Sequence, residues 1–577
     1  MNKAAVFHQP DSRYCFAIDD KKLVIRLRLA KEDRDASVSL IYGQKYQFHK
    51  SRTELSLPYR GSDGLHAYFE ATLELEDTRL AYIFKICLGD ESYYFSESGM
   101  SEDYDFENAY QTYFQMPFVN PADVHRLVDW SGRGTFYQIF VDRFARGDFE
   151  KDDSYVNMDW TDKPKSHDFA GGDLKGIEKK LDYLQDLGIT ALYLTPIFKS
   201  VSNHKYDIKD YYAIDEQFGN AFSLKALVDG AHSRGIRVIL DAVFNHSSNL
   251  LPEFQDVLKK GRASNYYDWF MIDGDYPELL PLNYETFASV TNMPKWNTSN
   301  PEVQAYLLDI VRFWMIEADI DGWRLDVSDE VSHDFWRQFR KVVKTINPKA
   351  IIIGENWHDA YPFLQGDQFD SIMNYAFSTA THRFLTQQDK RAEHLVEDLT
   401  NILMRNTQQV NRMNLNLLDS HDTHRFINQL DGDQDKLLSA LALLLTFDGS
   451  PCIYYGTEIA LEGAYDPDCR RGMLWEKADA DNPFWLKVRS LLHLRKNEKA
   501  LQEGDIQLLA RDGRFELIRT FEDKVIHLYI NSSQEDFPCP QGKMLLSHLL
   551  QDGMLKPEGF VIIESCKKHH VLTKERS

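Results

Sequence analysis

The sequence predicts an α/β protein built around a (β/α)8 barrel, with an inserted subdomain after the third strand and a β-sandwich at each end of the chain. Two observations predict this fold class. Eight short apolar runs alternate with amphipathic helical segments, and shorter runs with a two-residue alternation flank them. An open dinucleotide-binding sheet is the alternative, but the G-x-G-x-x-G motif that would follow its first strand is missing from the sequence.

The eight apolar runs are short and nearly uninterrupted, which is typical of parallel strands buried on both faces. Because each run is followed by a helical segment, a closed barrel is favoured over an open sheet. The predicted strands cover 135–141, 189–195, 236–243, 322–327, 350–355, 370–375, 415–420 and 451–456.

Capping residues mark the helices between these strands. Asn300-Pro301 predicts a helix start, because Asn is a favoured N-cap and Pro is favoured at the first helical position. Ser223 is predicted to begin an earlier helix. The apolar stripe over 174–187 predicts one helix that ends at Gly188.

Changes in pattern along the chain predict three domains and one insertion. The boundaries are 1–123 for the N-terminal β-sandwich, 124–500 for the (β/α)8 barrel and 501–577 for the C-terminal β-sandwich. The stretch 247–299 is too long for an ordinary loop, so we expect a small subdomain over the mouth of the barrel. Asp512-Gly513 between alternating runs predicts a tight hairpin, and the tail over 567–577 is expected to fray.

Composition excludes several classes of partner. The 577 residues carry a net charge of −23, whereas phosphate binding needs clustered Lys and Arg, so we expect no nucleic-acid partner. No apolar stretch approaches the roughly 20 residues of a membrane span, and no secretory signal is visible at the N-terminus. The six cysteines lie far apart, which favours free thiols in the cytoplasm over a disulfide framework or a zinc site.

Three acids lie where predicted strands give way to loops: Asp326, Glu355 and Asp422. A (β/α)8 barrel builds its active site at that face from the ends of several strands. Glycoside hydrolysis needs one ionised and one protonated carboxyl there. Arg324, two residues before Asp326 on the same strand face, would keep Asp326 ionised. Apolar neighbours would raise the pKa of Glu355 and keep it protonated.

Five motifs carry a resemblance to a known family. The segments 241–246, 322–327, 354–359 and 417–422 resemble, in order, the four strand-end motifs of the α-amylase family of glycoside hydrolases. The MPKWN segment at 293–297 is similar to a motif of its neopullulanase, cyclomaltodextrinase and maltogenic amylase branch. The resemblance spans nearly the whole chain, including the N-terminal β-domain.

The resemblance implies a retaining enzyme that hydrolyses α-1,4-glucosidic bonds in cyclodextrins, short maltodextrins and pullulan, with some transfer to sugar acceptors. It implies a homodimer in which the N-terminal domain, similar to starch-binding domains, packs against the partner's barrel. Two alternatives stay open: a sucrose or trehalose isomerase type of α-glucoside-processing enzyme, and a non-catalytic carbohydrate-binding relative.

The resemblance also implies residue roles. Asp326 is the expected nucleophile, Glu355 the general acid/base and Asp422 the stabiliser of the transition state. Substrate contacts are expected from Tyr206, His246, Arg324, His421, Trp357, Asp466 and Arg470, with Trp296 a weaker candidate for stacking on the sugar. A core role for Tyr206 and a structural ion pair between Asp466 and Arg470 are the alternatives.

Two departures from the family pattern concern the cleft and a metal ion. Asn356 follows the acid/base where the branch usually has Ile or Val, so an effect on the acceptor site is expected. The loop over 146–152 resembles the branch's calcium-binding N-G-D-x-x-N-D, but Arg146 and Lys151 replace two neutral ligands. Since calcium needs six to eight oxygens, we expect no cofactor, with Arg146 or Lys151 supplying positive charge internally.

Overall fold

The computed structural model describes residues 1–108, 112–387 and 392–566, and its centre is a closed barrel of parallel strands. The barrel strands are β1 (Phe136–Ile139), β2 (Ala191–Leu194), β3 (Arg237–Ala242), β4 (Gly322–Leu325), β5 (Ile351–Gly354), β6 (Ser371–Asn374), β7 (Leu415–Leu417) and β8 (Ser450–Tyr454). All eight coincide with predicted strands. β1 pairs with β8, with Phe136 opposite Cys452, so the ring closes and the barrel prediction is confirmed.

Helices cover the outside of the barrel. The main ones are Leu174–Lys179, Leu181–Leu187, Ala221–Ser233, Pro301–Glu317, His333–Ile346, Tyr375–Thr386, Ala392–Met404, Gln434–Thr446 and Pro483–Asn497. The other α-helices in the described residues are Phe48–Ser51 in the N-terminal region, and Val141–Phe144, Pro252–Lys260, Gln408–Met413, Phe426–Gln429 and Lys499–Glu503. The predicted start at Asn300 is confirmed, because its side chain accepts a hydrogen bond from the backbone N–H of Glu302.

Two helix predictions need correction. The stripe over 174–187 is two helices, because Lys180 leaves the helical conformation with ψ near 5°; Gly188 does end the second, with φ 99°. The helix predicted to start at Ser223 begins three residues earlier, where Asn220 caps it. Ser223 lies inside the first turn, and its Oγ accepts from the backbone N–H of Asn220 in a reciprocal capping box. Both residues are good caps, so sequence alone did not separate them.

The N-terminal region is a sandwich of two antiparallel sheets, as predicted. One sheet contains Cys15–Ala17, Lys22–Ala30, Tyr59–Ser62 and His66–Glu74; the other contains Ser37–Gln44, Thr53–Leu57, Leu80–Leu88, Glu91–Ser96, Gly99–Ser101 and Phe114–Met116. Leu27, Phe69 and Phe84 are among the buried residues between them. Arg26 joins the sandwich to the barrel region by donating to the carbonyl oxygen of Met404 at 2.8 Å.

The C-terminal region is an antiparallel sheet. In the described residues its strands are Asp505–Arg511, Arg514–Phe521, Lys524–Asn531, Phe537–Pro538, Lys543–Gln551 and Met554–Cys566. The hairpin predicted at Asp512-Gly513 is confirmed, since both residues have positive φ and Arg511 pairs with Arg514. The tail expected to fray, 567–577, lies outside the described residues.

The segment between β3 and the helix Pro301–Glu317 folds over the same end of the barrel as the predicted catalytic acids. It contains the helix Pro252–Lys260 and isolated strand bridges that pair His246 with Lys295 and Phe270 with Trp296. The boundaries at 123, 247, 299 and 500 stay predictions. Within the described residues, no helix is long and apolar enough to cross a bilayer.

Candidate active site

The three predicted acids meet in one cavity at the carboxyl ends of the barrel strands. Asp326 directly follows β4, Glu355 directly follows β5, and Asp422 lies in the loop after β7. All three line a cavity of about 1130 Å³. The barrel places them there because parallel strands end at a common face.

Arg324 links the carboxylates. Its Nη1 donates to Asp326 Oδ1 at 2.7 Å, and its Nη2 lies 2.9 Å from Glu355 Oε1. The predicted contact between Arg324 and Asp326 is confirmed, since side chains two residues apart share a strand face. The contact with Glu355 was not predicted. The register places Leu325 beside Gly354, so the residues that follow them emerge side by side.

A third carboxylate completes the Arg324 cluster. Asp241, on β3 directly opposite Arg324 in the register, accepts from its Nη1 at 3.1–3.2 Å. Tyr193 on β2 donates its hydroxyl to Asp241 at 2.6 Å. Arg324 is 1% exposed, so one buried positive charge faces three carboxyl groups. Such an arrangement favours retention of a proton among them, because like charges repel strongly away from water.

The pKa values of the acids follow from burial. Burial raises the pKa of Glu355, the charges of Asp422 and Asp329 add to it, and Arg324 opposes it. Burial also raises the pKa of Asp326, with Arg324 opposing and Glu355 adding. These carboxyls therefore lose their protons in coupled steps, displaced towards neutral pH. Burial lowers the pKa of His246 to about 3, so its imidazole is neutral at neutral pH.

Asp422 is held by residues of two loops. His421 Nε2 lies 3.2 Å from its Oδ2, and Arg470 Nη2 lies 3.5 Å from its Oδ1. Arg470 also pairs with Asp466 at 2.8 Å. The structural ion pair that the sequence left open for Asp466 and Arg470 is therefore present, and both residues also line the cavity.

Aromatic rings also line the cavity. Tyr206 lines the cavity, and its hydroxyl lies 2.5 Å from His421 Nε2 and 3.1 Å from Asp241 Oδ2. Trp357 stacks face to face on Tyr375, with ring centroids 3.6 Å apart and planes 9° apart. The indole is 48% exposed, so it offers a flat apolar face to the cavity.

Five of the seven residues predicted to bind substrate line the cavity: Tyr206, His246, Trp357, Asp466 and Arg470. His246 Nε2 is buried with no hydrogen-bond partner in the described residues, and the same is true of Asp326 Oδ2. Both atoms therefore keep a capacity to bond that no described residue uses. Arg324 and His421 are 1% and 0% exposed and do not line the cavity themselves. They contact residues that do, Arg324 through the acids and His421 through Tyr206.

One expectation about the cleft, the stacking of Trp296, is wrong, and the other, the effect of Asn356 on the acceptor site, stays a prediction. Trp296 is 1% exposed and packs on Phe270 and Tyr211, so its ring is core and cannot stack on a sugar. Asn356 is also buried, and its Oδ1 accepts from the backbone N–H of His358 at 2.8 Å. Its amide therefore shapes the turn that carries Trp357 and does not line the cavity.

Sequence reasoning missed several lining residues, among them Tyr375, His204 and Tyr465. Tyr375 directly follows β6, so the strand-end rule that found the acids would have found it. His204 stacks on Tyr206, which stands two residues later and was predicted to bind substrate. Tyr465 stands in a loop with no strand-end signal. In the described residues, no three His, Cys, Asp or Glu side chains are grouped so as to hold a metal ion.

Comparison with known proteins agrees with this geometry. Residues 138–508 match the model of the alpha amylase catalytic domain, and residues 1–120 match that of the alpha amylase N-terminal ig-like domain. A cyclomaltodextrinase from Geobacillus thermopakistaniensis is 42% identical over 97% of this chain and 99% of its own. Neopullulanase 2 from Thermoactinomyces vulgaris is 42% identical over 92% and 91%.

A solved structure of a cyclomaltodextrinase superposes with a TM-score of 0.89 at 37% identity, covering 98% of each chain. The strand-end acids and the barrel define a carbohydrate-processing enzyme. The chain belongs to the α-amylase family and is a glycoside hydrolase.

Proposed function

We propose that this enzyme hydrolyses α-1,4-glucosidic bonds in cyclodextrins, short maltodextrins and pullulan, with retention of configuration at the anomeric carbon and some transfer to sugar acceptors. The observation that carries the proposal is the Arg324 guanidinium, which bridges Asp326 and Glu355. Because one guanidinium contacts both carboxyl groups, the distance between these groups should be the about 5 Å of retaining enzymes and not the about 6.5–9.5 Å of inverting ones.

In the first step Glu355 gives its proton to the glycosidic oxygen while Asp326 attacks the anomeric carbon. The bond to the leaving sugar breaks with the electron pair on that oxygen, and a covalent glycosyl–enzyme ester forms through Asp326. Of the three carboxyls that share the charge of Arg324, Glu355 keeps the proton. Asp326 reacts as the anion, and the 2.7 Å hydrogen bond from Arg324 opposes the effect of burial on its pKa.

In the second step Glu355, now ionised, takes a proton from water as the water oxygen attacks the same carbon. The ester bond to Asp326 breaks and the starting protonation returns. A sugar hydroxyl in place of water gives transfer. Asp422, which lines the same cavity, stabilises the positive charge that develops on the sugar ring in both steps.

The substrate class rests on the cavity walls and on the relatives' names. Tyr206 and Trp357 bring aromatic rings to the cavity that holds the acids, and such rings suit the apolar faces of sugars. The relatives named cyclomaltodextrinase and neopullulanase act by name on cyclic maltodextrins and pullulan. We therefore expect higher kcat/KM on β-cyclodextrin and maltotriose than on starch.

The test measures product release from β-cyclodextrin, maltotriose, pullulan and starch by the native enzyme and by Asp326→Asn. Asp326→Asn should lose about 10³-fold or more in kcat while its circular dichroism stays native. Proton NMR of the first products should detect the α-anomer. Native rates in Asp326→Asn, or β-anomer as the first product, would refute the assignment.

The assembly and location are further proposals. We propose a homodimer in which the N-terminal sandwich packs against the partner's barrel, and sedimentation should give twice the chain mass. We propose a cytoplasmic location, supported by the free thiols of the described cysteines, such as buried Cys15 and Cys452. Fractionation of the source cells should place the activity with cytoplasmic markers.

A further inference from the structure

Lys151 places an ammonium group inside the loop that follows β1. Its side chain is 9% exposed. The Nζ atom donates to the carbonyl oxygen of Gln217 at 2.7 Å and to that of Gly171 at 3.0 Å, and it lies 2.9 Å from Asp173 Oδ2. One buried cation is thus surrounded by three oxygens that come from two distant segments of the chain.

Asp173 organises the loop around this cation. Its carboxylate accepts from the backbone N–H groups of Gly147 and Asp148 at 3.0 and 3.1 Å, and from that of Gly176 at 2.7 Å. The last bond caps the helix Leu174–Lys179. The anionic carboxylate therefore fixes the loop and the helix start together, and the Lys151 ammonium compensates its buried charge.

The calcium ion implied by the family resemblance does not fit here. Carbonyl and carboxylate oxygens are the ligands that calcium prefers, and Gly171, Gln217 and Asp173 supply them. The Lys151 ammonium already takes these three oxygens, and its charge would repel a divalent ion. Arg146, the other cation of the loop, turns away and pairs with Asp153 at 2.8 Å. Of the two predicted sources of internal charge, Lys151 is the one in place.

The same contacts lead to the active-site wall. The Gln217 side chain accepts from Lys205 Nζ, which also lies 3.0 Å from Asp215 Oδ2. Lys205 is fully buried and has φ 63°, a left-handed conformation that costs energy unless its surroundings hold it. The next residue is Tyr206, whose ring lines the cavity. Lys151 is thus linked to Tyr206 through Gln217 and Lys205.

We propose that the Lys151 ammonium is a built-in cation that takes the place of a divalent metal ion, fastening the loop after β1 to Gln217 and so positioning Tyr206. Lys151 touches no substrate and acts as a positioning residue. Only the effect on Tyr206 rests on the proposed function; the replacement of a metal ion does not.

The first experiment compares thermal unfolding of the native enzyme in EDTA and in millimolar CaCl2. The same Tm is expected in both, and a Tm that rises with CaCl2 would overturn the proposal. Lys151→Met should lower Tm by several degrees in both buffers, because it leaves Asp173 buried without its cation. It should raise KM for maltotriose about three- to tenfold with kcat little changed.

Lys175→Met is the matched control, because Lys175 is half-exposed and its Nζ comes no closer than 3.9 Å to Asp148 Oδ1. It removes the same charge from the same region and should keep the native Tm and KM. Lys151→Met behaving like this control would contradict the proposal. Purely structural damage would lower Tm and the active fraction, and with it kcat, without moving KM.

The double variant Arg146→Asn/Lys151→Asn tests whether calcium can substitute for the removed cations. It also keeps the proposal testable if Lys151→Met fails to fold. Neutral oxygen ligands then replace both cations of the loop, Lys151 at the oxygens of Gly171, Asp173 and Gln217 and Arg146 beside Asp153. CaCl2 should raise the Tm of this variant and return its KM towards the native value. If CaCl2 leaves the Tm of the double variant unchanged, the replacement of a metal ion by Lys151 is refuted, whatever substrate the enzyme prefers.

Discussion

Val327 donates its backbone N–H to Oε2 of Glu355 at 2.9 Å from a left-handed conformation, φ 44° and ψ 47°. A β-branched residue rarely adopts this conformation, and it costs about 1–3 kcal/mol unless the surroundings impose it. Val327 directly follows Asp326, so one strained turn aims both the predicted nucleophile and an amide towards the predicted acid/base. The hydrogen bond stabilises the ionised form of Glu355, which the second half of the reaction requires.

Val327→Gly should separate the backbone strain at residue 327 from the role of this turn in positioning Glu355. Glycine adopts this conformation freely but adds about 0.5–1 kcal/mol of ordering entropy, so stability should change little and kcat should fall about threefold. The control is Ala460→Gly, another left-handed position (φ 55°) away from the acids, which should keep the native kcat. Equal kcat for native enzyme and Val327→Gly would mean that this turn does not position Glu355.

Asp329 should set part of the alkaline limit of activity. Its negative charge raises the pKa of Glu355, so Asp329→Asn removes a cause of the raised pKa. The acid then loses its proton at lower pH, and the alkaline limb of the kcat profile should shift to lower pH. The shift should shrink at high salt, because Asp329 is exposed. Asp319→Asn, the same charge change before β4 at the opposite end of the barrel, should leave the limb in place.

The fold could be predicted because its information is local. Each barrel strand is an apolar run, and the caps and turns that separate the elements, such as Gly188 and Asp512-Gly513, act within a few residues. Strand ends also located Asp326 and Glu355, since the barrel brings all of its strand ends to one face. The start of the helix at Asn220 was missed because a second good cap stands three residues later.

The parts that could not be predicted depend on register and on side-chain direction. The contact of Arg324 with Glu355 requires the offset between β4 and β5, which no single strand reveals. Trp296 and Asn356 depart from the family pattern beside the site, yet both side chains turn inward. Sequence spacing shows that a residue is near the cleft but not which way it points in an irregular loop.

Trp357 should act as a binding platform. Its exposed indole, backed by Tyr375, is the aromatic face that a sugar ring can cover, an interaction worth about 1 kcal/mol. Trp357→Ala should raise KM for maltotriose about five- to tenfold, and Trp357→Phe should recover part of the loss. Phe222→Ala, which removes an 86% exposed ring outside the cavity, is the control. An unchanged KM in Trp357→Ala would exclude the platform.

Asp370 should stabilise the barrel without affecting catalysis. It immediately precedes β6, is fully buried, and accepts from Arg340 and Lys344 at 2.7 Å each and from the backbone N–H of Ile352 at 2.9 Å. Asp370→Asn leaves two cations without their partner, so the free energy of unfolding should fall by about 3 kcal/mol. At 25 °C kcat should stay native, because this end of the barrel lies opposite the acids.

The pH dependence of stability gives a second readout for Asp370. Its pKa is well below the ordinary value because Arg340 and Lys344 outweigh the effect of burial. A lowered folded-state pKa contributes stability above the unfolded pKa, near about pH 4, and loses it as the pH falls further. Native enzyme should therefore lose more stability than Asp370→Asn between about pH 4 and pH 2. Asp367→Asn, at a half-exposed pair with Arg337, should follow the native curve, and parallel curves for all three proteins would rule out this role.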